Sequence, residues 1–181
     1  MKHVTVPFLV AALTACANPL NRVTADRYSD DCATAGHSGN LRAAEELCGR
    51  ALTNVDWGNL GPDVRSEKLY NLGHIKRQLG KFAEAEQLLK DSLALEEQLS
   101  GASSVKVGRR LAELSVALAA QDKWPEGLLL VERLLPIADS YSGHERSFVG
   151  EIFQRYAPHA SAAGNTQLAS ALQAKGVSLV H

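Results

Sequence analysis

Few side chains in this sequence have the type and spacing that catalysis requires. Ser103 and Lys106 form a Ser-x-x-Lys pair, in which a lysine could activate a serine nucleophile. The companion motifs of such a site are absent, so we interpret Ser103 or Ser104 as a helix N-cap. A phosphate-binding glycine loop, a His-Glu-x-x-His pair and a Cys-x-x-Cys pair are also missing from the sequence. We therefore expect no catalytic residue and no cofactor.

The histidines and glutamates do not have the spacing of a metal site or an acid–base pair. The six histidines are scattered and never lie four residues apart, whereas a metal site needs three or four converging ligands. We expect each histidine to be exposed or capping, and no metal to bind. One segment carries four glutamates that we predict to form a solvated helix face: Glu84, Glu86, Glu96 and Glu97.

The clearest chemistry lies in the first sixteen residues. Lys2 precedes a short apolar run over residues 4–13, and Leu13-Thr14-Ala15-Cys16 follows. The run is much shorter than the roughly 20 residues of a membrane-spanning helix, and the pattern is typical of a secretory signal. The four-residue ending resembles the lipobox of bacterial lipoproteins, which implies a diacylglycerol thioether on Cys16 and cleavage before it. The alternative is an ordinary cleaved signal with an incidental cysteine.

The resemblance to a lipobox predicts how the chain is divided and where the protein is located. We predict a cleaved signal peptide over residues 1–15, a lipidated tether over 16–24 and a folded domain over 25–181. Lipoproteins retained in the inner membrane often carry Asp after the cysteine, and Ala17 stands there instead. The resemblance thus implies a lipid-anchored protein of the bacterial envelope, at the periplasmic face of the outer membrane.

Composition indicates a helical domain. The chain has 181 residues, of which 45% are hydrophobic and only 6% aromatic. Ala and Leu dominate, and both lose little entropy in helices. The formal net charge is -1, so nucleic acid is not an expected partner.

A turn signal recurs about every 42 residues and divides the domain into units of two helices. It lies at Gly39, Gly80, Asp122 and Gly164. Such self-similarity is the mark of a repeat architecture. We expect Pro136 to kink the second helix of the third unit, and Pro158 to bend or shorten the first helix of the fourth.

The second unit resembles the tetratricopeptide (TPR) motif in its Gly73, Gly80, Phe82 and Ala85. The period is longer than the usual 34 or so and is similar to that of the kinesin-light-chain-like variant. The resemblance implies an all-α, helix-turn-helix, TPR-like solenoid of about four helix pairs. The third unit departs from the motif, because Gly127 replaces its alanine.

In TPR arrays the first helices of successive units line a groove. Here one helical face carries Glu67, Tyr70, His74 and Arg77, at spacings of three and four. Arg109 stands on the same face one unit later. We predict a partner-binding groove made by these five residues, suited to an extended peptide or a partner helix. The alternative is a solvent face that binds nothing.

Cys32 and Cys48 are predicted to form a disulfide. Export would place them in an oxidising compartment, and lipidation of Cys16 leaves an even number of cysteines. They flank the turn near residue 40 at similar distances, and their equivalents in the TPR motif, Gly73 and Leu89, pack together. The alternative is a pair of buried free thiols.

These observations favour a non-catalytic interaction module, held at a membrane by its lipid and binding a protein or peptide partner. A narrower form is an assembly factor resembling the TPR lipoproteins of pilus or secretion complexes, which is an analogy of fold and address. The alternative is an envelope enzyme whose site no motif discloses.

Overall fold

The computed structural model describes residues 18–180, which form four antiparallel helix pairs. This confirms the prediction of an all-α solenoid of about four helix-turn-helix units. The helices are, in chain order, α1 (Pro19–His37), α2 (Leu41–Gly58), α3 (Pro62–Gln78), α4 (Phe82–Ser100), α5 (Val105–Ala119), α6 (Trp124–Leu134), α7 (Gly143–Ala162) and α8 (Thr166–Val180). A 3₁₀ helix over Leu135–Ser140 follows α6. Within this part of the chain, no helix is long and apolar enough to cross a bilayer.

The turn inside each pair has the same backbone geometry. Left-handed φ angles of 78°, 75°, 57° and 81° occur at Gly39, Gly80, Asp122 and Gly164. Glycine adopts this region without penalty, and aspartate is one of the few other residues that enter it readily. The turn predicted from the sequence repeat therefore has a left-handed backbone conformation in every unit.

Three helix boundaries differ from or refine the prediction. The first helix begins at Pro19, inside the segment 16–24 expected to be a tether, because the Asn18 side chain caps it and proline suits its first turn. Pro136 ends α6, since a proline cannot donate the next helical hydrogen bond, and the chain continues as a 3₁₀ helix. Pro158 neither ends nor shortens α7, which at 20 residues is the longest helix here. Ala157 and Ala160, on either side of it in the sequence, are buried in the core.

Two clusters hold the first unit to the second. Cys32, Cys48, Leu72 and Ile75 form one, and a smaller one gathers residues of α1, α2 and α3 near the start of the chain. The structure joins Cys32 and Cys48 by a disulfide with Cα atoms 5.4 Å apart. The largest cluster extends from α4 to α8 and forms the core of the other units.

Ion pairs link successive units at repeat-equivalent positions. Lys81 binds Glu45 at 2.7 Å, and Lys123 binds Glu86 at 2.7 Å one unit later. The pairs Glu97–Arg133 and Asp139–Lys175 are related in the same way. The two residues of each pair are 36 or 37 positions apart in the sequence, fewer than the 42 of the repeat. Neighbouring units are therefore shifted relative to each other, so that repeat-equivalent residues do not face each other.

The predicted solvated glutamate face of α4 is wrong for two of its four members. Glu86 is only 9% exposed and Glu96 only 4%, because α4 packs against the next unit on that side. Glu96 forms a buried ion pair with Arg110 at 2.8 Å. The hydroxyl of Ser66 donates to Glu96 at 3.0 Å, and that of Ser92 accepts from Arg110 at 2.9 Å. This polar cluster fixes α5 against α3 and α4.

Candidate binding groove

A cavity of about 300 Å³ opens where the first helices of units two, three and four meet. Its walls come from α3, α5 and α7, with one residue from the segment after α6. The lining residues are Tyr70, His74, Arg77, Arg109, Ala112, Glu113, Tyr141, His144, Glu145, Phe148 and Val149.

Four of the five residues predicted for the groove lie in this cavity: Tyr70, His74, Arg77 and Arg109. Glu67 does not. Its side chain is 60% exposed and pairs at 3.0 Å with Lys68, which is itself buried and donates to Ser29 of α1. Glu67 thus belongs to the contact between the first and second units, one helical turn beyond the cavity.

A buried carboxylate organises the inner wall. Glu113 on α5 is 4% exposed and accepts a hydrogen bond of 2.5 Å from Arg77 Nε on α3. His74 Nδ1 lies 3.0 Å from Glu113 Oε1, but the two are not aligned as a hydrogen bond. Burial acts to raise the pKa of Glu113, yet His74 and Arg77 outweigh it and hold that pKa below its usual value. The carboxylate is therefore charged at neutral pH. His74, predicted as a groove residue, is part of this wall.

A second ion pair forms the rim. Arg109 on α5 donates from Nε and Nη2 to the two carboxylate oxygens of Glu145 on α7, at 2.6 and 3.0 Å. These hydrogen bonds raise the pKa of Arg109. Both side chains are more than 40% exposed, so the pair contributes little to stability but sets the orientation of its donors.

Three aromatic side chains, Tyr70, Tyr141 and Phe148, are among the remaining lining residues. The Tyr70 ring lines the cavity and also contacts Arg110, whose guanidinium carbon lies 5.0 Å from the ring centre. Burial raises the pKa of Tyr70, and it raises that of Tyr141 to about 12. Phe148 lies beside Arg77, at 5.9 Å from its guanidinium carbon. The tyrosines are thus neutral, and their rings and that of Phe148 line the cavity.

Gly108 allows the Tyr141 ring to take this position. A β-carbon at Gly108 would lie 2.1 Å from the Tyr141 hydroxyl oxygen. That hydroxyl donates to the carbonyl of Val105 at 3.2 Å, one turn earlier on α5. The small residue on α5 and the tyrosine after α6 therefore fit together.

Sequence reasoning missed Glu113, Glu145, Tyr141, His144 and Phe148. The signal that could have found the two glutamates is a spacing of 36, since Arg77 and Arg109 meet carboxylates 36 residues later. The prediction used the full period of 42, which is six residues, or about 1.7 helical turns, longer than this spacing.

The other predicted sites have separate outcomes. Cys16, the predicted lipidation site, lies outside the described residues. Ser104 caps α5 by accepting from the Val107 N–H at 3.1 Å. His159, expected to be exposed or capping, stacks on Trp124 with ring centres 3.6 Å apart. Within residues 18–180, no group of three or more His, Cys, Asp or Glu side chains is placed to hold a metal ion.

Comparison with known proteins shows what the repeats are similar to. Residues 64–140 match the tetratricopeptide repeat family model. BtubC (BKLC) from P. vanneervenii has a similar structure, with a TM-score of 0.74 and 22% identity over 88% of this chain. The present chain spans 64% of that protein. The nearly identical TPR-like repeats of a Podosopora anserina protein named as a kinesin light chain give a TM-score of 0.65, at 18% identity over 86% of this chain and 74% of that one. No curated protein sequence matches significantly. Residues 64–140 therefore resemble TPR repeats, and the chain folds as a TPR-like solenoid.

Proposed function

We propose that this protein is a non-catalytic TPR interaction module that binds an extended segment of a partner protein through the groove on α3, α5 and α7. The observation that carries the proposal is the cavity itself. Three successive first helices bring aromatic rings and two cross-helix ion pairs around a space that suits one bulky side chain. Pockets of this kind, apolar with a few oriented polar groups, are typical ligand sites.

The charges of the groove favour an apolar anchor over a strongly charged one. Arg77 is neutralised by Glu113 and Arg109 by Glu145. What is left for a ligand is the ring surface of Tyr70 and the other aromatic residues, together with spare N–H groups of the arginines. We infer a partner segment that inserts an aromatic or leucine side chain, while its backbone carbonyls accept from the Arg109 rim. Neither carboxylate is placed as a free general base, since each is held by an arginine.

We further propose that the module is anchored in the bacterial envelope through lipid on Cys16, at the periplasmic face of the outer membrane. The support is the lipobox sequence and Ala17. More than one acyl chain makes such anchoring effectively stable, and it would raise the local concentration of the groove at the membrane. A role as assembly factor for a pilus or secretion complex would use both features.

Peptide selection tests the groove directly. A random peptide library is selected on the full chain, and the affinities of selected peptides are measured for the native protein and for Phe148→Ala. We expect peptides with an aromatic or leucine anchor and a loss of tenfold or more in the variant, about 1.4 kcal/mol or above. The matched control is Leu129→Ala, an exposed apolar residue on α6 outside the cavity.

A charge swap separates binding from fold. Arg109→Glu breaks the rim pair, and Arg109→Glu with Glu145→Arg restores an ion pair in the opposite direction. If Arg109 acts as a donor to the ligand, both variants keep the native stability, because the pair is exposed, and the double variant does not regain affinity. Selected peptides that bind Phe148→Ala as tightly as the native protein would show that the cavity is not the site.

A further inference from the structure

Three exposed apolar side chains lie at the start of the solenoid. Leu20 is 74% exposed, Val23 70% and Trp57 79%. Single exposed apolar residues are ordinary, but a tryptophan as exposed as this one loses the burial that its large ring usually finds. The question is what covers this end of the molecule.

The first turn of α1 and the last turn of α2 are held together here. The Asn18 N–H donates to the Gly58 carbonyl at 3.1 Å. Gly58 also lets Asn21 approach, because a β-carbon on Gly58 would lie 2.5 Å from the Asn21 β-carbon. Trp57 immediately precedes Gly58, so its backbone is at the same end of the pair as Leu20.

The two aliphatic residues turn away from the protein core. Leu20 and Val23 are three positions apart and share one face of α1. Buried Ala25 and Cys32 mark the opposite face, which packs on α2 and α3. Each later first helix contacts the helix before it, α2, α4 or α6, whereas no helix precedes α1 among residues 18–180.

The position of Cys16 identifies the occupant. Cys16 is two residues before Asn18, so their Cα atoms are at most about 8 Å apart, at 3.8 Å per residue. A lipid on Cys16 would therefore bring a bilayer surface directly against this end. Tryptophan is enriched at the membrane–water interface, where its ring lies among the headgroups.

Two ion pairs lie near this end. Arg22 pairs with Asp26 at 3.1 Å, and Arg65 pairs with Asp56, the neighbour of Trp57, at 2.8 Å. Since the two pairs are formally neutral, contact does not require anionic lipid.

We propose that Leu20, Val23 and Trp57 form a membrane-contact surface that enters the headgroup region beside the lipidated Cys16 and holds the solenoid in one orientation. The inference rests on the lipid anchor of the proposed function. A lipid on a two-residue connection would let the solenoid swivel, whereas a second contact on α1 and α2 fixes it.

Tryptophan quenching tests the surface. The full chain is produced in a bacterial host, extracted in detergent and reconstituted into phosphatidylcholine vesicles with or without brominated acyl chains. We expect a blue shift on reconstitution and a loss of emission in brominated vesicles. Both changes should disappear in Trp57→Phe, because Trp124 is stacked on His159 within the fold. Leu20→Ser with Val23→Ser should reduce the quenching, and Leu129→Ser, exposed on α6, should leave it unchanged.

The mass of the N-terminal peptide from the same preparation separates the two proposals. Lipidated protein whose Trp57 stays unquenched overturns the contact surface and leaves the anchor standing. Quenching that persists in Trp57→Phe also overturns it. Protein without lipid on Cys16 overturns the anchor, and the membrane contact with it.

Discussion

Restoring the alanine of the TPR motif at Gly127 should destabilise the protein. Gly127 is buried on α6, at the position where the second unit has Ala85. By helix propensity alone, Gly→Ala in a helix interior stabilises by about 0.5–1 kcal/mol. The opposite sign is expected here, because a β-carbon on Gly127 would lie 2.0 Å from the Tyr156 hydroxyl oxygen and 2.6 Å from the Cζ atom of the ring.

The magnitude follows from what must move. Tyr156 is fully buried on α7, and its hydroxyl donates to the Ser115 carbonyl at 2.7 Å. Overpacking of this kind costs about 1–3 kcal/mol, and a displaced hydroxyl would lose a hydrogen bond of about 1 kcal/mol. The propensity gain offsets only part of this, so we expect Gly127→Ala to lower the free energy of unfolding by about 1–3 kcal/mol.

A double-mutant cycle isolates the contact between Gly127 and Tyr156. Leucine stands at the Tyr156 position in the two preceding units, as Leu72 and Leu114, and lacks the atoms that clash. In a Tyr156→Leu background, Gly127→Ala should therefore become neutral or stabilising in urea unfolding. Gly49→Ala on α2 is the matched control, because its β-carbon meets nothing within 4 Å. The reasoning is refuted if Gly127→Ala stabilises the native protein as Gly49→Ala does.

Three further predictions concern the contacts within and between units. Replacing Cys32 and Cys48 by alanine removes a link across 16 residues and should cost roughly 3 kcal/mol, measured as a lower Tm that dithiothreitol reproduces in the native protein. Burial raises the pKa of Glu86, but its lysine and glutamine partners bring it to about 2, below the ordinary 4.5. Its stabilisation is thus complete above pH 4.5 and lost as the pH falls toward 2, and Glu86→Gln should flatten unfolding free energy across that window. Glu96→Gln leaves the Arg110 charge buried and unpaired, at a cost of about 3–5 kcal/mol, whereas Glu96→Leu with Arg110→Met should recover most of it in denaturant melts.

The fold was predictable because its main determinants are local. A left-handed turn needs glycine or a tolerant residue, and that requirement marks Gly80 and its three equivalents in the sequence. Pro62 and Phe82 likewise stand at the first residues of α3 and α4, as their positions predict. These signals depend on a few neighbouring residues, so they can be recognised without knowledge of the tertiary structure.

The faces of the second helices were not predictable in the same way. Glu86 and Glu96 have the composition of a solvated stripe, and nothing on α4 itself shows which side the next unit covers. Glu96 takes its cation, Arg110, from α5, and Glu86 pairs with Lys123, just before α6, as well as with Lys90 of its own helix. A buried charge is recognisable only together with its partner, and the partner here depends on the stagger between units.

The same stagger explains why the groove was found in part. Tyr70, His74 and Arg77 follow helical spacing on one helix, which a sequence discloses. Glu113 and Glu145 complete their ion pairs from the next helix, at a distance of 36 residues that the repeat period does not give.

The groove and the stacking of units are therefore coupled. Its cavity touches α3, α5 and α7, so it spans two interfaces between units, and an ion pair crosses each of them. In a repeat protein each interface adds a separate term to stability, because a unit contacts only its neighbours. A segment seated in the cavity would contact three units at once and stabilise both interfaces, by an amount that grows with the logarithm of its concentration relative to Kd. Substitutions that disturb the stacking, such as Gly127→Ala at the junction of α6 and α7, should then weaken binding without touching the ligand.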